Sequence, residues 1–191
     1  MSNRQQTIAG GPGVIRGGVS LVLLWACLGA TPVIAQEDVA QAREWIDAGE
    51  NLEQISRDTW KELLTDEQFE ILWEEGTERA YTGELLDNKR EGVYVTAGCR
   101  IPVFSSEHKY DSRTGWPSFW EVLDEDNIRL EDDYSWFGRK RIEVVSACGE
   151  HLGHVFKDGP EPTGLRYCIN SLALEFVPQD EWEREQSQKQ N

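Results

Sequence analysis

Methionine is absent after Met1, and histidine occupies only three of 191 positions, His108, His151 and His154. An acid or base working near neutral pH therefore has few sources, and the closely spaced His151 and His154 are the natural ones. Positive charge is also scarce: 19 Lys and Arg stand against 35 Asp and Glu, a formal net charge of −16. Arg4 and Arg16 are the only charged residues among the first 35, so residues 36–191 carry −18. So acidic a surface repels nucleic acid and anionic lipid heads, and neither is an expected partner. Long apolar runs are missing as well. The longest, from Val19 to Ala30, is too short to span a bilayer comfortably. There is no internal repeat and no long linker.

The first 35 residues read as an export signal. Arg4 and Arg16 supply positive charge, the apolar run follows, and Val33-Ile34-Ala35 offers small or aliphatic residues before a cut at Gln36. The expected mature protein is thus 36–191, exported and periplasmic. Leu24-Trp25-Ala26-Cys27 matches a lipoprotein site only loosely, so anchoring at Cys27 is the lesser expectation. About 156 residues suffice for one domain with a real core. Three cysteines remain in this part, Cys99, Cys148 and Cys168, and an odd count leaves one thiol unpaired if the other two are bridged. A chain without methionine suits a compartment rich in oxidants.

Helical periodicity runs from Glu37 to about Ser56, with Val39, Ala42, Trp45 and Ile46 on one stripe and Leu52 and Ile55 resuming after Gly49. This segment, 36–64, reads as an appended arm. A second helix is predicted from Thr65, where Thr65-Asp66-Glu67-Gln68 fits a capping box, with Gly76 placed to stop it. After Gly83 the texture changes to short apolar runs cut by turn residues: 92–98, 101–106, 141–147, 151–156 and 172–178. These predict antiparallel strands, hence a mainly β domain over 65–178 behind N-terminal helices. Residues 179–191 read as a polar tail that frays.

Chemistry concentrates in the second half. In Arg166-Tyr167-Cys168-Ile169-Asn170, strand alternation sets Arg166, Cys168 and Asn170 on one face. A guanidinium beside a thiol favours the thiolate, so Cys168 is either a reactive nucleophile or a buried structural cysteine. Pro117 biases Trp116 toward an extended conformation, so that Trp116, Phe119 and Trp120 either wall a small apolar pocket or belong to the core. Gly153, between His151 and His154, would let the backbone bend so that both imidazoles face one site. Asp158 lies in a turn, where it either orients a histidine or caps the turn.

Several ordered segments resemble one family, the type-B methionine sulfoxide reductases, specific for the R epimer: GTERAYTGELLDNKREGVY at 76–94, FSSEHKYDSRTGWPSF at 104–119, HLGHVFKDGP at 151–160 and GLRYCINSLALEF at 164–176. The resemblance covers about Thr65 to Pro178. It implies a fold of two antiparallel sheets, Cys168 as nucleophile, Trp116 (with Phe119) around the substrate, and His151, His154, Asp158, Arg166 and Asn170 as site residues. It also implies methionine sulfoxide, free or in proteins, as substrate, with reduction through a Cys168 sulfenic acid. No cofactor is implied, only an external thiol reductant of thioredoxin type.

The chain departs from this family at its other cysteines. Where many members carry two CxxC pairs binding zinc, this chain reads Thr96-Ala97-Gly98-Cys99 and Val145-Ser146-Ala147-Cys148, which excludes a four-thiolate site. The family geometry brings the two pairs together, so the resemblance implies a structural Cys99–Cys148 disulfide, with recycling of Cys168 by one of the two as the competing role. The recycling cysteine many members carry before GWPSF is here Thr114. The alternative of another class is a non-catalytic metal-binding domain using Cys99, Cys148, His151 and His154, whose residue types suit zinc or copper.

Overall fold

A computed structural model describes residues 36–134 and 140–189. The expected export signal and Cys27 lie outside the described residues. Among those residues no helix is long and apolar enough to cross a membrane.

Among the described residues nine strands form two antiparallel sheets, so the expected mainly β architecture is what the chain adopts. They are β1 Gly92–Thr96, β2 Pro102–Ser105, β3 Lys109–Tyr110, β4 Ser118–Phe119, β5 Ile128–Asp133, β6 Arg141–Ser146, β7 His151–Phe156, β8 Arg166–Ile169 and β9 Leu174–Pro178. One sheet has the order β2-β1-β9 and the other β3-β4-β8-β7-β6-β5. Tyr94, Val103, Phe104 and Leu174 of the first meet Phe119, Val144, Leu152, Tyr167 and Ile169 of the second in one core. The acidic segment forming β5 escapes sequence reading because it is mostly exposed and lacks apolar alternation.

The helices differ from expectation in their breaks. Helix α1, Gln36–Ala48, ends before Gly49, and a separate helix α2, Arg57–Leu63, starts at Ser56, whose hydroxyl caps the Thr59 amide. Helix α3, Asp66–Glu74, begins with the expected capping box of Thr65 and Gln68. Its left-handed terminal residue is Glu75, not Gly76. The tail does not fray: Gln179–Lys189 forms helix α4, and Trp182 covers Val93, Val95 and Val177 on the smaller sheet. One anchoring aromatic decides this, which polarity averaged over the segment hides.

Cys99, in the β1–β2 turn, and Cys148, in the β6–β7 turn, form a disulfide with Cα atoms 6.7 Å apart. The N-terminal arm packs directly onto it: Ala42, Ile55 and Trp60 are buried in one cluster with Cys99, and Trp60 stacks on Trp73 at 5.5 Å. The fully buried Glu150 ties the same two turns. One of its carboxyl oxygens accepts the amides of Gly98 (2.9 Å) and Cys99 (3.0 Å), and the other accepts the Ser146 hydroxyl (3.0 Å). Burial pushes the Glu150 carboxyl above its ordinary range, with these donors opposing.

Two expectations follow for stability. Cutting the 49-residue span with Cys99→Ser should remove about 4 kcal/mol in the chain-entropy view, lowering Tm by roughly 10 °C in a thermal scan; an unchanged Tm would show the bridge to be slack. Because the folded Glu150 holds its proton more tightly than the unfolded one, its contribution is complete below pH 4.5 and falls as pH rises toward the folded pKa. Glu150→Gln, which keeps the shape without the charge, should therefore gain Tm relative to the parent as pH rises from 4.5. A difference independent of pH would contradict this.

Candidate active site

The face of the larger sheet turned away from the core carries the site. Ser118 of β4 is paired with Cys168 of β8, and Cys168 with His154 of β7, which is paired in turn with Glu143 of β6. Directly opposed residues share a face, so the thiol and the imidazole stand side by side. Ordinary alternation would turn His151 to the other face, but β7 carries a bulge where it pairs with Val144 and Val145. Gly153 sits there with φ 155°, and a Cβ on it would lie 2.2 Å from the Cys168 carbonyl oxygen. The bulge brings the two histidine rings to 5.5 Å, edge to face. The expected bend at Gly153 is thus present, and glycine is required for close approach as well as for φ.

Each histidine is held by a carboxylate. The His154 Nε2 lies 2.9 Å from Asp133 Oδ2, and His151 Nδ1 bonds Glu143. Carboxylates only accept, so His154 carries its proton on Nε2 and, when neutral, leaves Nδ1 as the basic nitrogen. Burial pushes the His154 pKa below its usual value despite Asp133. Neither Asp133 nor Glu143 was a sequence candidate, and β5, which carries Asp133, has no strand signal to place it there.

Asp158 does not orient a histidine. It forms a two-pronged ion pair with Arg166, both bonds 2.9 Å, and lies well below the ordinary carboxylate range because Arg166 donates to it. Arg166 also lies over the Phe156 ring at 4.4 Å. Arg166 does favour the Cys168 thiolate, as expected, but burial outweighs it. Burial pushes the thiol up from its ordinary value, and Thr114 and then Arg166 oppose this without outweighing it. Thr114, at the position of the recycling cysteine of many family members, reaches the thiol: its hydroxyl is 3.7 Å from Cys168 Sγ and 2.8 Å from Ser112 Oγ, which continues at 2.7 Å to Ser118 Oγ.

Trp116 and Phe119 part company. Trp116 is half-buried and donates its indole N–H to the Glu78 carbonyl at 3.1 Å. Phe119, expected to share the pocket wall, lies one residue further on from Ser118, on the opposite sheet face, fully buried and stacked on Phe104 at 4.3 Å. It is core. Asn170 lies just past the end of β8, where its Oδ1 accepts the Glu78 amide and its Nδ2 donates to the Leu152 carbonyl, both 3.1 Å. The Glu78 carboxylate accepts the Ser171 and Leu172 amides. Asn170 and Glu78 thus fix the frame that carries Trp116 and Cys168, and nothing in the sequence pattern singled Glu78 out.

Trp116 lines a cavity of about 570 Å³ with Tyr81, Leu86, Lys109, Tyr110 and Ser112; Cys168 is not part of its wall. A larger cavity of about 1210 Å³ lies at the disulfide, between the arm and α4, and contains none of the residues above. The metal-binding alternative finds no support in this arrangement. Cys99 and Cys148 are bonded to each other, and the group whose ligand atoms converge with theirs is Glu150, while the histidines face Glu143 and Asp133.

Comparison with known proteins agrees with this geometry. A family model described as the SelR domain matches residues 64–178. The chain is 53% identical over 131 residues to the peptide methionine sulfoxide reductase MsrB of Methanosarcina mazei, covering 68% of this chain and 93% of that protein. It is 53% identical to the MsrB of Thiobacillus denitrificans over 122 residues, 63% of this chain and 92% of that one. To the MsrB of Pseudomonas aeruginosa it is 51% identical over 124 residues, 64% and 93% of the two chains. With its matched region spanning both sheets and every residue of the Cys168 row, the chain belongs to the SelR domain family.

Proposed function

We propose that this protein reduces the R epimer of methionine sulfoxide, free or within peptides, to methionine, with Cys168 as the nucleophile. The observation that carries the reading is the free, partly buried thiol of Cys168 opposite the carboxylate-held imidazole of His154. The names of proteins about half identical to this chain, peptide methionine sulfoxide reductase MsrB, support the substrate class.

The chemistry follows from the protonation states. A thiol with a raised pKa needs a base, and neutral His154 offers Nδ1, with Asp133 ready to stabilise the imidazolium. The thiolate attacks the sulfoxide sulfur while Trp116 covers the methyl group. The S–O bond of the substrate breaks, the oxygen ends on Cys168, and His154 returns the proton to it. One thiol and one sulfoxide thus become one sulfenic acid and one methionine. Arg166 stabilises the anion, Asp158 orients Arg166, and His151 backs His154 by ring contact. Asn170 acts as a positioning residue through Glu78 and Leu152.

Regeneration takes two thiols: one condenses with the sulfenic acid and releases water, and the second frees Cys168 as it forms a disulfide with the first. Thr114 holds no thiol for this, and Cys99 and Cys148 are already paired, which supports an external dithiol of thioredoxin type as reductant and a fastening role for the 99–148 bridge. The export reading of residues 1–35 and the presence of a disulfide support action in the periplasm.

With a dithiol reductant, the protein should turn over the R epimer and leave the S epimer untouched. Equal activity on both, or on neither, would refute the assignment. Cys168→Ser should abolish turnover without loss of fold, since a serine hydroxyl is barely ionised near neutrality. In single-turnover experiments the rate should be level from pH 7 to 9, because neutral His154 takes the proton of the still-protonated thiol. Alkylation of Cys168 by iodoacetamide, which needs the thiolate already formed, should instead climb steadily over this range, and Arg166→Ala should slow it at every pH. Alkylation that is flat above pH 7 would mean that the thiol is ionised there and the sign is wrong.

A further inference from the structure

Strand β3 lies at the edge of the larger sheet next to β4. Its Tyr110 is paired with Ser118, which is paired with Cys168, which is paired with His154. The phenol, the thiol and the imidazole therefore belong to one row on one face, with Tyr110 and His154 on opposite sides of Cys168. Two strand spacings, about 10 Å, separate the Cα atoms of Tyr110 and Cys168. The residue between them is a serine, whose small side chain leaves room above it for an aromatic ring. The charges of Arg166, Asp158 and Cys168 all act on the Tyr110 phenol. It also shares the 570 Å³ cavity with Trp116.

The Tyr110 hydroxyl is buried, yet among the described residues it has no hydrogen-bond partner. Its neighbours are all satisfied: Ser112, Thr114 and Ser118 bond one another, and the indole of Trp116 reaches the Glu78 carbonyl. Tyr94, the most deeply buried tyrosine of the core, receives a bond from Asn88. Buried hydroxyls without a partner are rare in folded proteins, because removing them from water without compensation destabilises the fold. Phenylalanine would fill the same space without that penalty. The hydroxyl is accounted for if its partner arrives with the ligand.

We infer that the Tyr110 hydroxyl donates a hydrogen bond to the sulfoxide oxygen of the bound substrate, across Cys168 from His154; the inference rests on the reductase reading of the site. The oxygen carries the negative end of the S–O dipole and gains charge as the thiolate attacks sulfur, so a donor aimed at it strengthens toward the transition state. Burial raises the phenol pKa, which keeps it a neutral donor throughout the working range. Tyr110 transfers no proton: the thiol proton still travels through His154. The methionine product has lost the oxygen and with it this bond, so Tyr110 distinguishes sulfoxide from thioether.

Tyr110→Phe keeps the ring and removes only the hydroxyl. In a single turnover with the R epimer, formation of the Cys168 sulfenic acid should slow by about 10- to 100-fold, the range for a lost hydrogen bond to a charged centre. Inhibition by methionine should be unchanged, and Tm should be equal or higher because an unsatisfied buried hydroxyl is gone. A rate within twofold of the parent would overturn the inference, as would equal weakening of sulfoxide and methionine binding, which a merely structural role produces. The parent protein separates the two levels. Active parent with an unimpaired Phe variant refutes Tyr110 alone, whereas a parent inert toward the R epimer refutes the reductase reading itself.

Discussion

In the proposed mechanism Cys168 is a thiol that must ionise in a place that disfavours ionisation. Burial raises its pKa, and the groups around it divide the task of overcoming that: Arg166 supplies positive charge, Thr114 a hydrogen bond, and His154 a base held by Asp133. The same burial lowers the local dielectric, which strengthens each of these interactions. An attack on a weak electrophile at sulfur gains from such an environment, since the anion formed there is poorly solvated and reactive.

The backbone that allows this is the contact at Gly153, where β7 approaches β8 closely enough to exclude any side chain. A single bulge at that point puts His151 and His154 on one face, aligns His154 with Cys168 and leaves the other face apolar for the core. At the far end of β7 the chain needs a different fastening. Cys99–Cys148, the Glu150 carboxyl and the Trp60–Trp73 stack hold the β1–β2 and β6–β7 turns together. The arm of residues 36–64 is part of this fastening, with Trp60 and Ala42 almost fully buried against it.

Local patterns carried much of the fold. The short apolar runs at 92–98, 101–106, 141–147, 151–156 and 172–178 each contain a strand, and Thr65 with Gln68 capped α3, because turn residues bounding an apolar run and helix caps are short-range chemistry written in consecutive residues. The fragments that failed were those whose structure depends on what lies across from them. The acidic segment Ile128–Asp133 becomes β5 only because β6 offers its edge. The polar segment Gln179–Lys189 becomes a helix because Trp182 finds an apolar sheet face to cover.

The sequence, through its family resemblance, pointed to Cys168, His151, His154 and Trp116 as site residues and to the pairing of Cys99 with Cys148, which is the bridge the chain forms. It did not determine signs or partners. Whether Arg166 or burial governs the Cys168 thiol depends on how much of the chain surrounds it, which no local spacing records. That Phe119 faces the core while Ser118 faces Cys168 is set by the register of β4 against β8, where a one-residue slip would exchange them. Asp133, Glu143, Glu78 and Tyr110 enter the site from remote segments, brought there by sheet pairing and loop closure, so their contribution exists only in the tertiary structure.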